Sequence, residues 1–212
     1  LTVTYDGNVH ALAGVGLPAG ASVEYAGNDK VNAGIYTVAA TVTGDFGTET
    51  LTGTLTIQKA VYDMSGVTFT GENFTYDGTA HSIYIKGTLP EGVTVRYENN
   101  GQINAGVYEV TAYFTGDEAN YEPIVPWGTG MTVKKAVKDM SGVRFENTVI
   151  TYDGKAHTLV AENLPEGVWA AYEVSQSDGY QDNTQTEPGI YHILAHFWFF
   201  DDNDDKNYEP IP

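Results

Sequence analysis

The tripeptide Tyr-Asp-Gly, followed after two further residues by His, occurs three times in this chain, beginning at Tyr5, Tyr76 and Tyr152 and ending at His10, His81 and His157. Recurrence of this kind confines the fold to tandem copies of one small supersecondary unit. Other landmarks recur in the same order. Leu-Pro-x-Gly starts at Leu17, Leu89 and Leu164, a Tyr follows at Tyr25, Tyr97 and Tyr172, and Gly-x-Tyr starts at Gly34, Gly106 and Gly189. Asn-Tyr-Glu-Pro appears at Asn120 and Asn207, and Lys-Ala-Val-x-Asp-Met-Ser-Gly-Val spans Lys59–Val67 and Lys135–Val143. These marks set three modules at 1–59, 60–135 and 136–212, with boundaries at Lys59/Ala60 and Lys135/Ala136. The first module lacks its opening strand and the third its closing one, so the chain reads as a window on a longer array.

Each unit is expected to be β. Val, Thr and Tyr fill short runs bounded by Gly, Pro, Asn or Asp, as strands joined by tight turns require. In the middle copy the spacing predicts strands at Val67–Phe69, Phe74–Tyr76, Ser82–Lys86, Val93–Tyr97, Val107–Phe114 and Met131–Lys135. The run Val107–Phe114 alternates, with Tyr108, Val110 and Ala112 on one face and Val107, Glu109, Thr111 and Tyr113 on the other. No stretch of ten residues keeps a helical period without Gly or Pro. The expected class is therefore all-β, as tandem small immunoglobulin-like β-sandwich modules, with β-grasp-like modules as the alternative. Gly-x-Tyr-x-Val favours the sandwich, since an immunoglobulin-like domain places a Tyr two residues before a core position on its sixth strand. Val38, Val110 and Ile193 would hold that core position, and Tyr36, Tyr108 and Tyr191 are expected to be largely buried.

Charge and composition exclude several classes of function. A formal charge of −18 repels nucleic acid and anionic membranes. The chain has no Cys, so neither disulfides nor a thiol nucleophile is available. No run approaches the roughly 20 apolar residues of a membrane span, and no membrane insertion is expected. A histidine repeated once per module reads as a hydrogen-bonded turn residue, and paired carboxylates across a cleft or a Ser-His-Asp arrangement are not suggested. The chain is expected not to be an enzyme and to need no cofactor.

The third copy departs from the pattern. It reads Glu187-Pro188-Gly189 where the others have Asn-Ala-Gly, and its loop from Ser175 to Pro188 is longer than its counterpart. Trp169, Tyr180 and Trp198 form a candidate sugar-stacking set, because aromatic faces are apolar while their edges stay wet; packing within or between modules is the alternative. The inserted acidic run offers Asp201, Asp202, Asp204 and Asp205 as candidate Ca²⁺ ligands in an exposed loop near Trp198, without the Gly and distal Glu of an EF-hand.

The set Tyr-Asp-Gly-x-x-His, Leu-Pro-x-Gly, Asn-Ala-Gly-x-Tyr-x-Val, Thr-Gly-Asp and Asn-Tyr-Glu-Pro resembles the MBG and YDG-type repeats of large bacterial surface proteins, over essentially the whole chain. The resemblance implies an extracellular, cell-surface or cell-wall location. It also implies a structural role as stalk or spacer repeats of a secreted or surface-anchored bacterial adhesin, with neighbouring repeats as partners. A carbohydrate-binding or ligand-binding module with its site on the third copy, meeting a host or plant glycan or a surface protein, is the alternative.

Overall fold

The alternation expected in the middle copy is realised, with Val110 and Ala112 fully buried and Val107 and Glu109 exposed. The computed structural model describes residues 1–174, 183–200 and 202–211. Its elements are β1 (Thr2–Thr4), β2 (Ser22–Ala26), β3 (Gly34–Gly44), β4 (Gly47–Gln58), β5 (Glu72–Thr75), β6 (Thr94–Glu98), β7 (Gly106–Thr115), β8 (Trp127–Lys134), β9 (His157–Thr158), β10 (Val168–Val174), β11 (Thr184–Gln185), β12 (Ile193–Phe199) and the short helix α1 (Asp202–Asn207).

The first and middle copies build the same four-stranded sheet, in the orders β1-β4-β3-β2 and β5-β8-β7-β6. In each, the opening strand runs parallel to the closing one, with Val3 opposite Ile57 and Phe74 opposite Val133. The remaining pairs given by register are antiparallel: β2 with β3, β3 with β4 and β6 with β7. No helix occurs among residues 1–174, so there is nothing to fill the helical layer of a β-grasp unit. The class is all-β and sandwich-like.

The layer facing this sheet is thinner than the sequence suggested. Val67–Phe69 and Ser82–Lys86 are not full strands; they contribute only the single bridges Thr68–Lys86 and, next to them, His81–Gln102. The reason lies in the side chains that replace ladder bonds. Asn100 Oδ1 accepts the Ile83 N–H at 2.9 Å, Asn100 Nδ2 donates to the Ile83 carbonyl at 2.7 Å, and Tyr97 Oη accepts the Ile85 N–H at 2.9 Å. With its main chain satisfied in this way, the segment needs no neighbouring strand. The first copy repeats the device with Asn28 on Leu12 and Tyr25 on Gly14, and the third with Asn183 on Leu159 and Tyr172 on Ala161.

Two compact units emerge from the contacts, cut through the middle copy. The first holds Leu1–Thr70, Tyr84–Glu98 and Val110–Thr129; its core is Val38, Leu55 and Ile57, against which Val3, Tyr5, Leu12, Ala33 and Tyr36 pack. The second holds Gly71–Ile83, Asn99–Glu109 and Gly130–Pro212, and buries Ile83, Met131 and Val133. Each such aliphatic side chain, fully removed from water, contributes about 1.5–3 kcal/mol.

The three tyrosines of Gly-x-Tyr are tied down rather than buried. Their hydroxyls donate back to the main chain four residues earlier: Tyr36 to the Asn32 carbonyl at 2.8 Å, Tyr108 to Asn104 at 2.8 Å and Tyr191 to Glu187 at 2.9 Å. This is the tyrosine corner of immunoglobulin-like domains. The ring must lie along the corner to reach that carbonyl, so Tyr36 and Tyr108 stay half-buried and Tyr191 is exposed, contrary to the expectation that all three are largely buried. Val38 and Val110 hold the core position two residues on, but Ile193 is only half-buried, because in the third copy β12 pairs with β10 alone among the described residues.

Candidate functional site

The repeated Tyr-Asp-Gly-x-x-His is absorbed by a turn. Asp6, Asp77 and Asp153 each accept the N–H two residues on, at 2.9, 2.8 and 2.9 Å, while Gly7, Gly78 and Gly154 take a left-handed φ of 79, 80 and 74°. The same carboxylates meet the histidine four residues on: His10 at 2.9 Å, His157 at 2.9 Å and His81 at 3.2 Å. These bonds hold all three carboxyls below the ordinary aspartate range. The leading cause is the N–H of Asn8 for Asp6, the hydroxyl of Thr79 for Asp77 and the N–H of Lys155 for Asp153, with the histidine adding to each. The aspartate of each motif is thus engaged in holding its turn.

Where one copy meets the next, a denser constellation appears twice. In the first unit, Asn120 is buried and its Oδ1 accepts the N–H of Ala33 at 2.9 Å, reaching from the second copy into the Asn-Ala-Gly of the first. Its Nδ2 donates to Asp117 Oδ2 at 2.8 Å. In the second unit, Asn207, completely buried, accepts the N–H of Ala105 at 2.7 Å and donates to the Asn203 carbonyl at 2.9 Å and to Asn104 Oδ1 at 3.2 Å.

Around each clasp the main chain zips in parallel. The Ala60 N–H donates to the Asn120 carbonyl and the Glu122 N–H to the Ala60 carbonyl, at 2.9 and 2.8 Å; Ala136 with Asn207 and Glu209 repeats both bonds at 3.0 and 2.7 Å. Lys59 and Lys135 donate to the carbonyls of Glu118 and Asp205. The tyrosine after each Asn packs edge-on against the tyrosine of a Tyr-Asp-Gly: Tyr121 against Tyr5 of the preceding copy at 5.5 Å, and Tyr208 against Tyr76 at 5.4 Å. Tyr62 stacks on Tyr121 at 4.0 Å and accepts the Asp117 N–H at 2.7 Å. Its counterpart Lys138 sets its ammonium over the Tyr208 ring at 4.7 Å. The role of Asn120 and Asn207 was not foreseen, although the repeated Asn-Tyr-Glu-Pro marked them. Asn28 and Asn100 carried a signal too, each lying three residues beyond the repeated Tyr.

The third copy keeps the fold of the motifs and loses one half of the clasp. Pro188 stands where Ala33 and Ala105 donate, and proline has no N–H. Trp169 and Trp198 are brought together as a cross-strand pair of β10 and β12, their rings 5.0 Å apart, with His196 stacked on Trp198 at 5.7 Å and Trp169 about half exposed. Tyr180 lies outside the described residues.

The acidic run is not the loop expected. Asp202–Asn207 winds into α1, since the inserted residues extend the turn that Asp117–Asn120 makes in the middle copy, and the helix delivers Asn207 to its clasp. Asp204 is half-buried with its carboxylate over Gly167, and Asp205 is exposed. Asp201 and the side chain of Asp202 lie outside the described residues. Among the described residues, no three His or acidic side chains converge on one point.

Comparison with known proteins gives three findings. No curated protein matches the chain. Among solved structures, the FN1–FN3 domains of chicken CNTN1 are similar at 13% identity and a TM-score of 0.23, covering 83% of this chain; the chain spans 66% of that one, just under two thirds of its length. The family model described as MBG domain matches twice, at residues 1–61 and 65–135, which together make up more than half of the chain. The tyrosine corners, the Asn clasps and the Tyr-Asp-Gly turns are thus the working parts of tandem repeats, and the chain belongs to the MBG domain family.

Proposed function

We propose that the chain is a non-catalytic spacer within a secreted or surface-anchored bacterial protein of the adhesin type, and that its copies are coupled to one another through the Asn120 and Asn207 clasps. The observation that carries this reading is the repetition of the junction: the same buried amide reaching into the preceding copy and the same edge-on tyrosine recur at both joints. A junction that only had to connect would have no use for a buried polar side chain, since burying an amide is unfavourable unless its bonds are made. Coupling of orientation is what those bonds add. The acidic surface keeps such a chain soluble and away from nucleic acid.

Backbone ¹⁵N relaxation tests the proposal. Neighbouring copies should share one rotational diffusion tensor, and Ala33→Pro, which removes the donor to Asn120, should let the first copy reorient separately. Independent tumbling in the unaltered chain would overturn it.

A second reading is favoured by one observation, the Trp169–Trp198 pair lying half-exposed on the outer face of the β10–β12 ribbon beside His196. Such a pair can stack a sugar ring of a host or plant glycan. A glycan array on the whole chain, repeated with Trp169→Ala, decides this reading: a hit that survives the substitution, or no hit, removes it.

A further inference from the structure

In each of the first two copies, the strand that opens the sheet lies beside the strand that closes it and runs the same way. In the middle copy β5 pairs with β8, Glu72 opposite Met131 and Thr75 opposite Lys134. The first copy repeats this with Thr2 opposite Thr56 and Thr4 opposite Gln58. The middle copy has a neighbour on either side, so its pairing is the one a copy adopts within an array.

A pull along the chain acts backwards at the start of β5 and forwards at the end of β8. On parallel strands these two forces slide one strand past the other, and the evenly spaced bonds of the ladder are loaded together. Forced unfolding is governed by the unfolding rate, so resistance lies in the contacts that must break first rather than in total stability. At the far end of each ladder the Tyr76 N–H donates to the Lys134 carbonyl and the Tyr5 N–H to the Gln58 carbonyl, both at 2.8 Å; at the near end of the first, the Thr56 N–H donates to the Leu1 carbonyl at 2.8 Å. Met131 and Val133, and Leu55 and Ile57, are buried beneath the closing strands and keep water from competing for these bonds on the core side. Ahead of β5 the entering chain makes the single bridges Ala60–Tyr121 and Thr68–Lys86, and the longer ladder follows them.

We propose that β5–β8 and β1–β4 are shear clamps that let each of these copies bear tension along the chain. As a function this rests on the reading of the chain as a spacer, in which a pull on one end is passed to the other. The clamp itself stands on strand direction within a copy. Independent tumbling of the copies would remove the coupled spacer and leave the clamp, so the relaxation and force measurements can fail separately.

The test is force spectroscopy of the whole chain in optical tweezers. The chain has no Cys, so a thiol handle can be placed at one chosen residue. Held at its two termini, the chain should give one step for each of the first two copies, each lengthening it by about 200 Å, the extended length of residues 1–58 or 72–134. In a second geometry the handles sit at the N-terminus and at Asp45→Cys, an exposed position beyond the end of β4 at which β1 begins. The same β1–β4 bonds are then peeled singly, and the first copy should open at a lower force. Equal force in the two geometries would overturn the proposal. Tyr76→Pro is compared with Tyr76→Ala, since both lose the ring and Pro alone loses the N–H that donates to Lys134. At one fixed force the Pro chain should pass one of its two steps about 2- to 13-fold faster than the Ala chain and keep the rate of the other. Identical rates in the two variants would likewise sink the clamp.

Discussion

Replacing Asn120 by Ala isolates the clasp from everything else in its copy. The substitution removes two good hydrogen bonds, from the Ala33 N–H at 2.9 Å and to Asp117 Oδ2 at 2.8 Å; the approach to Asn32 Oδ1 at 3.5 Å is at the limit of a bond and adds nothing. A net hydrogen bond contributes about 0.5–1.5 kcal/mol, and one to a charged group about 1.5–3 kcal/mol. Asp117 is exposed, so its carboxylate recovers water and the charged bond belongs at or below the low end of its range. The Ala33 N–H is partly covered and loses its only acceptor in the junction, which raises its share. The expected loss is about 2–3 kcal/mol.

Denaturant melts give the total, and hydrogen exchange gives the location: the Ala33 amide should exchange roughly 30- to 160-fold faster, the rate equivalent of that energy. Pro already occupies the equivalent position at 188, so the backbone of the fold accepts Ala33→Pro, and in that background Asn120→Ala should cost less than it does alone. Asn120→Asp keeps the acceptor but sets a second carboxylate against Asp117. It should be worse than Ala at neutral pH and should recover on acidification. An unchanged Ala33 amide together with full additivity of the two substitutions would show that the junction is held by the Tyr5–Tyr121 packing and the Lys59 bond alone.

Three further outcomes follow from the geometry. Tyr108→Phe removes only the hydroxyl bond to Asn104 and should lower stability by about 1 kcal/mol in urea melts; no change would mean that the corner is ornamental to the fold. Gly116→Ala places a methyl 2.6–2.9 Å from the Tyr62 ring and hydroxyl, pushing it off Tyr121, and should cost about 1–3 kcal/mol, whereas Gly130→Ala meets nothing within 4 Å and should be neutral or slightly stabilising in the same melts. The carboxyls of Asp6, Asp77 and Asp153 should titrate below the ordinary value of about 3.9 in a ¹³C-detected NMR titration. Because their folded pKa is lowered, what they add to stability is fully present above that ordinary value and lost as pH falls through the lowered one, so ordinary titration at all three sites would dissolve the account of the turn.

How much was legible in the sequence depended on whether a residue acts within its own copy. Gly-x-Tyr-x-Val marked the core positions, and Val38 and Val110 are where the alternation put them, because strand period is set over a few residues. The weak facing layer was not legible, since Asn28 and Asn100 act on partners 16 and 17 residues away and substitute for a strand that propensity alone would draw. Nor was the helix at Asp202–Asn207, where a run of aspartates reads as a solvated loop until the need to deliver Asn207 is known. The clasps lay furthest out of reach: Asn120 meets Ala33 across 87 positions and Asn207 meets Ala105 across 102, and nothing in either local sequence names the other.

The landmarks of this repeat therefore fall into two sets with different consequences. Tyr-Asp-Gly-x-x-His, Leu-Pro-x-Gly and the corner tyrosine close bonds inside a copy, and the third copy, which retains all three, retains those bonds. Asn-Ala-Gly and Asn-Tyr-Glu-Pro each supply one half of a bond that only a neighbour completes. The third copy holds the Asn half, which it spends on Ala105, and carries Pro188 in the other half, so it can receive from the copy before it and cannot donate to an Asn clasp of its own kind. A Pro for Ala at that one position leaves the tyrosine corner beside it intact while removing the donor. An Ala→Pro change at the Asn-Ala-Gly site therefore removes a bond between copies without touching the tyrosine corner within one.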